Sequence, residues 1–152
     1  MMTLSLALLA LLHTQAAPAV AACAQLTPQE VSALIGGSPK PMTVTDSPNG
    51  SACRYQNGEK TITVMLTDKD TADSAKAQWE AKKRVSAGKD VAGWTVPAYA
   101  GTMETPKEHV AIVGIAKGKR FVETKVMDVS QTTADLSTKL LDAMKAVAGR
   151  LR

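Results

Sequence analysis

The 152 residues contain two cysteines, Cys23 and Cys53, and the first stands directly behind a stretch without a single charge. That stretch runs Leu4-Ser-Leu-Ala-Leu-Leu-Ala-Leu-Leu12 and then Ala16-Ala-Pro-Ala-Val-Ala-Ala22. An apolar run followed by small residues has the layout of an export signal, and it is too short and wrongly flanked for a transmembrane anchor. The expectation is a signal peptide over residues 1–22, cleaved at or near Ala19-Val-Ala21, and one domain over residues 23–152. The usual positive segment ahead of the apolar run is missing, which fits a natural signal that starts upstream of Met1.

Export brings an oxidising compartment, and two cysteines there suggest one disulfide. Closing a loop of this size stabilises by about 3–4 kcal/mol on the chain-entropy account. A rival reading stays open: Val20-Ala-Ala-Cys23 also fits a lipidation box, which would lipidate Cys23 and leave Cys53 a free thiol. Against the rival, helix chemistry begins only four residues later, leaving almost no tether between bilayer and domain.

The mature part holds all 18 Lys and Arg and all 14 Asp and Glu, so the net charge of +4 belongs to it. The basic residues are dispersed and aromatics are few, so no nucleic-acid partner is expected. A membrane partner is expected only if Cys23 is lipidated. About 130 residues suffice for a hydrophobic core without metal support.

Thr27, Pro28 and Glu30 spell a helix start, with Thr27 as cap and Glu30 closing a capping box. Leu26 and Val31 stand at staple positions, Val31, Leu34 and Ile35 form the apolar stripe, and Gly36-Gly37 ends the helix. After Pro39 and Pro41 comes an extended piece, Met42–Thr45, and a turn over Asp46–Gly50. Asn57-Gly58 joins Ser51–Gln56 to Thr61–Thr67 as a hairpin. Asp70 or Thr71 opens a second helix, stopped by Gly88, with Ala72, Ala75 and Trp79 facing the sheet. Strands follow near Ala98–Glu104, His109–Ala116 and Arg120–Met127. Thr132 or Thr133 caps a last helix whose Leu136, Leu140, Met144, Val147 and Leu151 recur at helical spacing. The order α-βββ-α-βββ-α, rich in hairpins, predicts an α+β fold: a mainly antiparallel sheet with helices packed on it. A crossover through the second helix leaves room for one parallel pair.

Chemistry-bearing motifs are scarce. His109 is the only histidine left once the signal is gone, and no Gly-x-Ser-x-Gly elbow accompanies it. Asp68, Asp70 and Asp73 lack the turn glycine and final glutamate of a calcium loop, so helix capping explains them better. Zinc lacks ligands, and no nucleotide fingerprint is present. No catalytic residue, metal or cofactor is therefore assigned. Two of the five aromatics, Trp94 and Tyr99, fall in the Gly- and Pro-punctuated stretch Gly93-Trp-Thr-Val-Pro-Ala-Tyr99. They are candidates for partner or ligand contact, or they close one end of the core. Lys82, Lys83 and Arg84, with Lys89 and the turn Lys117–Arg120, are candidates for an anion-binding surface or a solvated helix end.

The order Cys23-x-x-Leu-Thr-x-x-Glu-Val…Ile-Gly36, then Cys53-x-Tyr55, then Val-x-Gly93…Ala98-Tyr99, resembles a broad group of small exported or lipid-anchored bacterial domains, actinobacterial lipoproteins among them. That group carries a Gly-x-Gly-x-x-Ala loop where this chain has Gly93-Trp-Thr-Val-Pro. The resemblance implies a Cys23–Cys53 disulfide and an envelope location, and it implies no reaction. The expected role is a non-enzymatic periplasmic or secreted module that binds an envelope protein or small ligand. The alternatives are a lipid-anchored accessory protein or lipid carrier, and a small hydrolase or inhibitor-type effector.

Overall fold

A computed structural model describes residues 21–152. The leader expected over residues 1–22 lies outside them, apart from Ala21 and Ala22. Helix α1 spans Pro28–Ile35 and begins at the capping box: Glu30 N–H donates to Thr27 Oγ1 at 3.2 Å and Thr27 N–H to Glu30 Oε2 at 2.7 Å. Leu26, Val31, Leu34 and Ile35 are buried, as the staple and stripe predict. Strands β1 (Met42–Ser47), β2 (Gly50–Asn57) and β3 (Lys60–Asp68) form a meander, followed by α2 (Ala72–Val85). Then come β4 (Lys89–Asp90), β5 (Ala98–Thr105), β6 (Glu108–Lys117), β7 (Arg120–Met127) and α3 (Thr133–Arg150). The fold is α+β.

One seven-stranded sheet runs β1-β2-β3-β7-β6-β5-β4, and every neighbouring pair is antiparallel. The parallel pair that a crossover permits does not form, because β3 meets β7 rather than β5. The chain passes over the sheet through α2, enters at the far edge and zips back to the centre.

Alternation along the strands sorts the side chains into two layers. On one face Cys53, Ile62, Val64, Leu66, Val113, Ile115, Val122 and Val126 meet the stripes of α1 and α3. The space there is filled by Leu34, Leu136, Leu140, Met144 and Val147, all buried. On the other face α2 sets Trp79 against Tyr99, Ala116 and Phe121. Ala75 is buried beside them, whereas Ala72 in the first turn is exposed.

The left-handed residue that ends α2 is Ala87, at φ 48°, and not Gly88. Gly88 serves another need, since a Cβ there would lie 2.6 Å from the Tyr99 ring.

Cys23 and Cys53 are bonded, with Cα atoms 5.1 Å apart. The sulfur that lipidation would use is thus engaged. Tyr55 Oη donates to Cys23 O at 2.7 Å and Ala22 N–H to Ser51 Oγ at 2.9 Å, so the entering chain is pinned to β2 on both sides of the bridge. Among the described residues no helix is long and apolar enough to cross a membrane.

Candidate functional site

The loop between β4 and β5, residues 91–97, lies at one edge of the sheet, beside residues of both α2 and α3. Its stem is closed by Val91 N–H donating to Ala98 O at 2.9 Å, and its turn uses Gly93 at φ 79°, where glycine carries no side-chain penalty. Ala116 N–H donates to Pro97 O at 3.0 Å and fastens the far arm to β6. Val91, Trp94 and Val96 rest against the core as half-buried side chains.

Trp94, Thr95 and Val96 form a ridge between two concavities. One, of about 200 Å³, is walled by Gly93 and by Lys145, Ala148 and Gly149 of α3. The other, of about 460 Å³, is walled by Lys76, Trp79 and Glu80 of α2, Asp90 of β4, and Pro97. Both tryptophans of the chain border the larger one.

Behind this groove stands a buried polar cluster. Tyr99 has no exposed surface, so it contacts no partner directly; of the two aromatics singled out in the loop, Trp94 alone reaches the groove. The Tyr99 ring lies over Gly114 of β6, and its hydroxyl donates to Glu123 of β7. Strand register explains this, since Tyr99, Gly114 and Glu123 are successive partners in one row. Burial, and then the bond to the Glu123 carboxylate, pushes the Tyr99 hydroxyl far above its ordinary range. Trp79 sits 5.9 Å from Tyr99, ring centre to ring centre, and its Nε1–H points to Gly114 O at 3.4 Å.

The basic residues are distributed among separate tasks. Lys82 lies 3.8 Å from Glu123, and Lys83 reaches Asp90 at 2.6 Å while passing 5.1 Å from the centre of the Trp79 ring. Arg84 and Lys89 are exposed. In the β6–β7 turn, Lys117 donates to Ala148 O at 3.3 Å and Arg120 to Asp68 at 2.7 Å. Lys83, through Asp90 and Trp79, is the member of this set tied to the groove wall.

Several other titratable groups have structural partners. His109 Nδ1 is 2.6 Å from Gln131 O, so that nitrogen carries the proton in this contact. Asp128, 1% exposed, accepts from Ser130 and Gln131 and faces Lys60 at 3.3 Å. Burial alone pushes its carboxyl up, but those bonds together outweigh it and hold the group at about 2. Asp73 lies in the first turn of α2, where its charge suits the helix dipole, while Thr71 is the cap and Asp68 pairs with Arg120. Among the described residues no three His, Cys, Asp or Glu side chains are grouped so as to share a metal ion.

Sequence reasoning had found Trp94 through its loop setting. It missed Lys76, Glu80 and Asp90 as groove residues, because they come from α2 and β4 and carry no local motif. It also missed Glu123, whose one hint was an acid on the same strand face as Phe121.

No protein-family model matches the chain, and no curated protein matches it. Among solved structures, the chain is similar to the extracellular domain of PknH from Mycobacterium tuberculosis. The two share 18% identity at a TM-score of 0.43, over 78% of this chain and 92% of that one. That likeness is too distant to transfer a site or a role.

Proposed function

We propose that the chain is an exported module, periplasmic or secreted, that binds a partner or ligand without chemistry of its own, and that its contact surface is the ridge carrying Trp94. One observation carries the reading: a half-buried tryptophan on a glycine- and proline-punctuated loop, set between two open concavities. A large rigid aromatic at such a crest supplies contact area at little entropic cost. Export is supported by the Cys23–Cys53 bridge, since disulfides persist in oxidising compartments. The non-enzymatic reading is supported by how the titratable groups are used. Tyr99 with Glu123, His109 with Gln131 and Asp128 with Ser130 are each committed to a protein partner.

The test is retention of envelope components by the immobilised chain and by its Trp94→Ala variant. Components held by the parent and released by the variant support the reading. Equal retention by both, with the variant folded by circular dichroism, removes Trp94 from the contact surface.

A further inference from the structure

The larger concavity has a chemistry that narrows the ligand class. Its apolar part is led by the half-buried Trp94, with Val91, Val96 and Pro97 beside it; Trp79 borders it but is only 4% exposed. The polar part comes from Lys76, Glu80 and Asp90. Lys76 stands one helical turn before Glu80, and Lys83 engages Asp90 at 2.6 Å. The lining thus holds one ammonium group and two carboxylates, and because Asp90 is already paired with Lys83 outside the lining, neither sign of charge gains an advantage. A strong polyanion would face Glu80 and Asp90, and a polycation would face Lys76. What remains on offer is an aromatic platform ringed by hydrogen-bond donors and acceptors of both kinds.

We infer that this groove binds an uncharged oligosaccharide, with one pyranose ring stacked on Trp94 and its hydroxyls shared among Lys76, Glu80 and Asp90. A pyranose presents a face of C–H groups and a rim of hydroxyls. The C–H face suits the electron-rich face of an indole, and each hydroxyl both donates and accepts, as the mixed rim requires. The volume of about 460 Å³ falls within the range of ligand clefts, about 300–1,000 Å³. The groove is open along one side, which suits a chain lying across it. The smaller concavity continues the path beyond Trp94, and there a Cβ on Gly149 would meet no atom within 4 Å, so the α3 wall leaves that path clear.

The inference rests on the ridge being the contact surface, and its test separates the two. The mature chain is titrated with cellotetraose and N-acetylchitotetraose at low and high salt, with tryptophan fluorescence and calorimetry as readouts. Saturable binding that changes little with salt is expected, weakened about tenfold or more by Trp94→Ala. Glu80→Gln, a helix-surface change that leaves the core intact, is expected to weaken it several-fold and decides the matter should Trp94→Ala misfold. Co-sedimentation with insoluble cellulose and chitin separates a wall polymer from a free oligosaccharide, and either source supports the class.

No saturable binding to either tetrasaccharide overturns the inference. So does binding untouched by both substitutions, or a strongly salt-dependent preference for a charged polymer or a peptide. If the sugars fail while envelope components are still retained through Trp94, only the ligand class falls. If both fail, the ridge falls with it.

Discussion

The ring of Tyr99 occupies the space that a side chain at Gly114 would fill: a Cβ there would lie 2.2 Å from Tyr99 Cε1. The absence of one methyl group on β6 lets a full aromatic lie flat across the strand and reach Glu123 on the next. A side chain at Gly114 cannot be accommodated without displacing the Tyr99 ring. Gly114→Ala is therefore expected to destabilise by about 3 kcal/mol, the upper end of overpacking costs. Chemical denaturation checks this, and Gly149→Ala, whose Cβ would meet nothing within 4 Å, serves as the control.

Alkaline stability should report the Tyr99–Glu123 bond. The Tyr99 hydroxyl is raised above its ordinary value of 10, so its contribution is full below that pH and is lost as pH rises beyond it. Tyr99→Phe is expected to cost about 1–3 kcal/mol at neutral pH, because Glu123 loses a donor in a buried setting. It should also flatten the loss of stability above pH 10, measured by denaturant midpoints across the alkaline range. A parallel downward shift at every pH would count against the account.

At the acid end Asp128 takes the same role with opposite sign. Its carboxyl is held at about 2 against an ordinary 3.8, so its contribution is present above pH 3.8 and fades as pH falls towards 2. The shift corresponds to about 2 kcal/mol. Asp128→Asn should lose that amount at neutral pH and remove the matching portion of the acid limb. Thermal melts between neutral pH and pH 2 are the measurement.

The end of α2 holds a correctable strain. Ala87 adopts the left-handed conformation, at a cost of about 1–2 kcal/mol that glycine does not bear. Ala87→Gly is expected to raise stability by up to about 1 kcal/mol once the entropy of the unfolded chain is set against it. Gly88→Ala, one position on, should instead destabilise, since its Cβ would meet the Tyr99 ring at 2.6 Å.

Local chemistry was legible in the sequence. The Thr27–Glu30 box, the caps of α2 and α3 to within one residue, the Asn57-Gly58 hairpin and the α3 stripe each depend on residues within one or two turns. The pairing of β3 with β7 was not, because it is decided by which buried faces match after the chain has closed a long loop. Nor was the inward setting of Tyr99 legible. β5 is covered on both faces near Ala98–Gly101, so the alternation that tells core from solvent is lost there. Half of the groove was readable for the same reason that the rest was not: Trp94 announces itself in a turn, whereas Lys76, Glu80 and Gly149 acquire meaning when two helices arrive beside it.

The bridge to Cys53 places the entering chain on β2, whereas the ridge belongs to the opposite edge, five strand positions away. At about 4.8 Å per strand that is roughly 24 Å across the sheet. The bridged entry of the chain and the tryptophan ridge therefore occupy opposite flanks of one sheet.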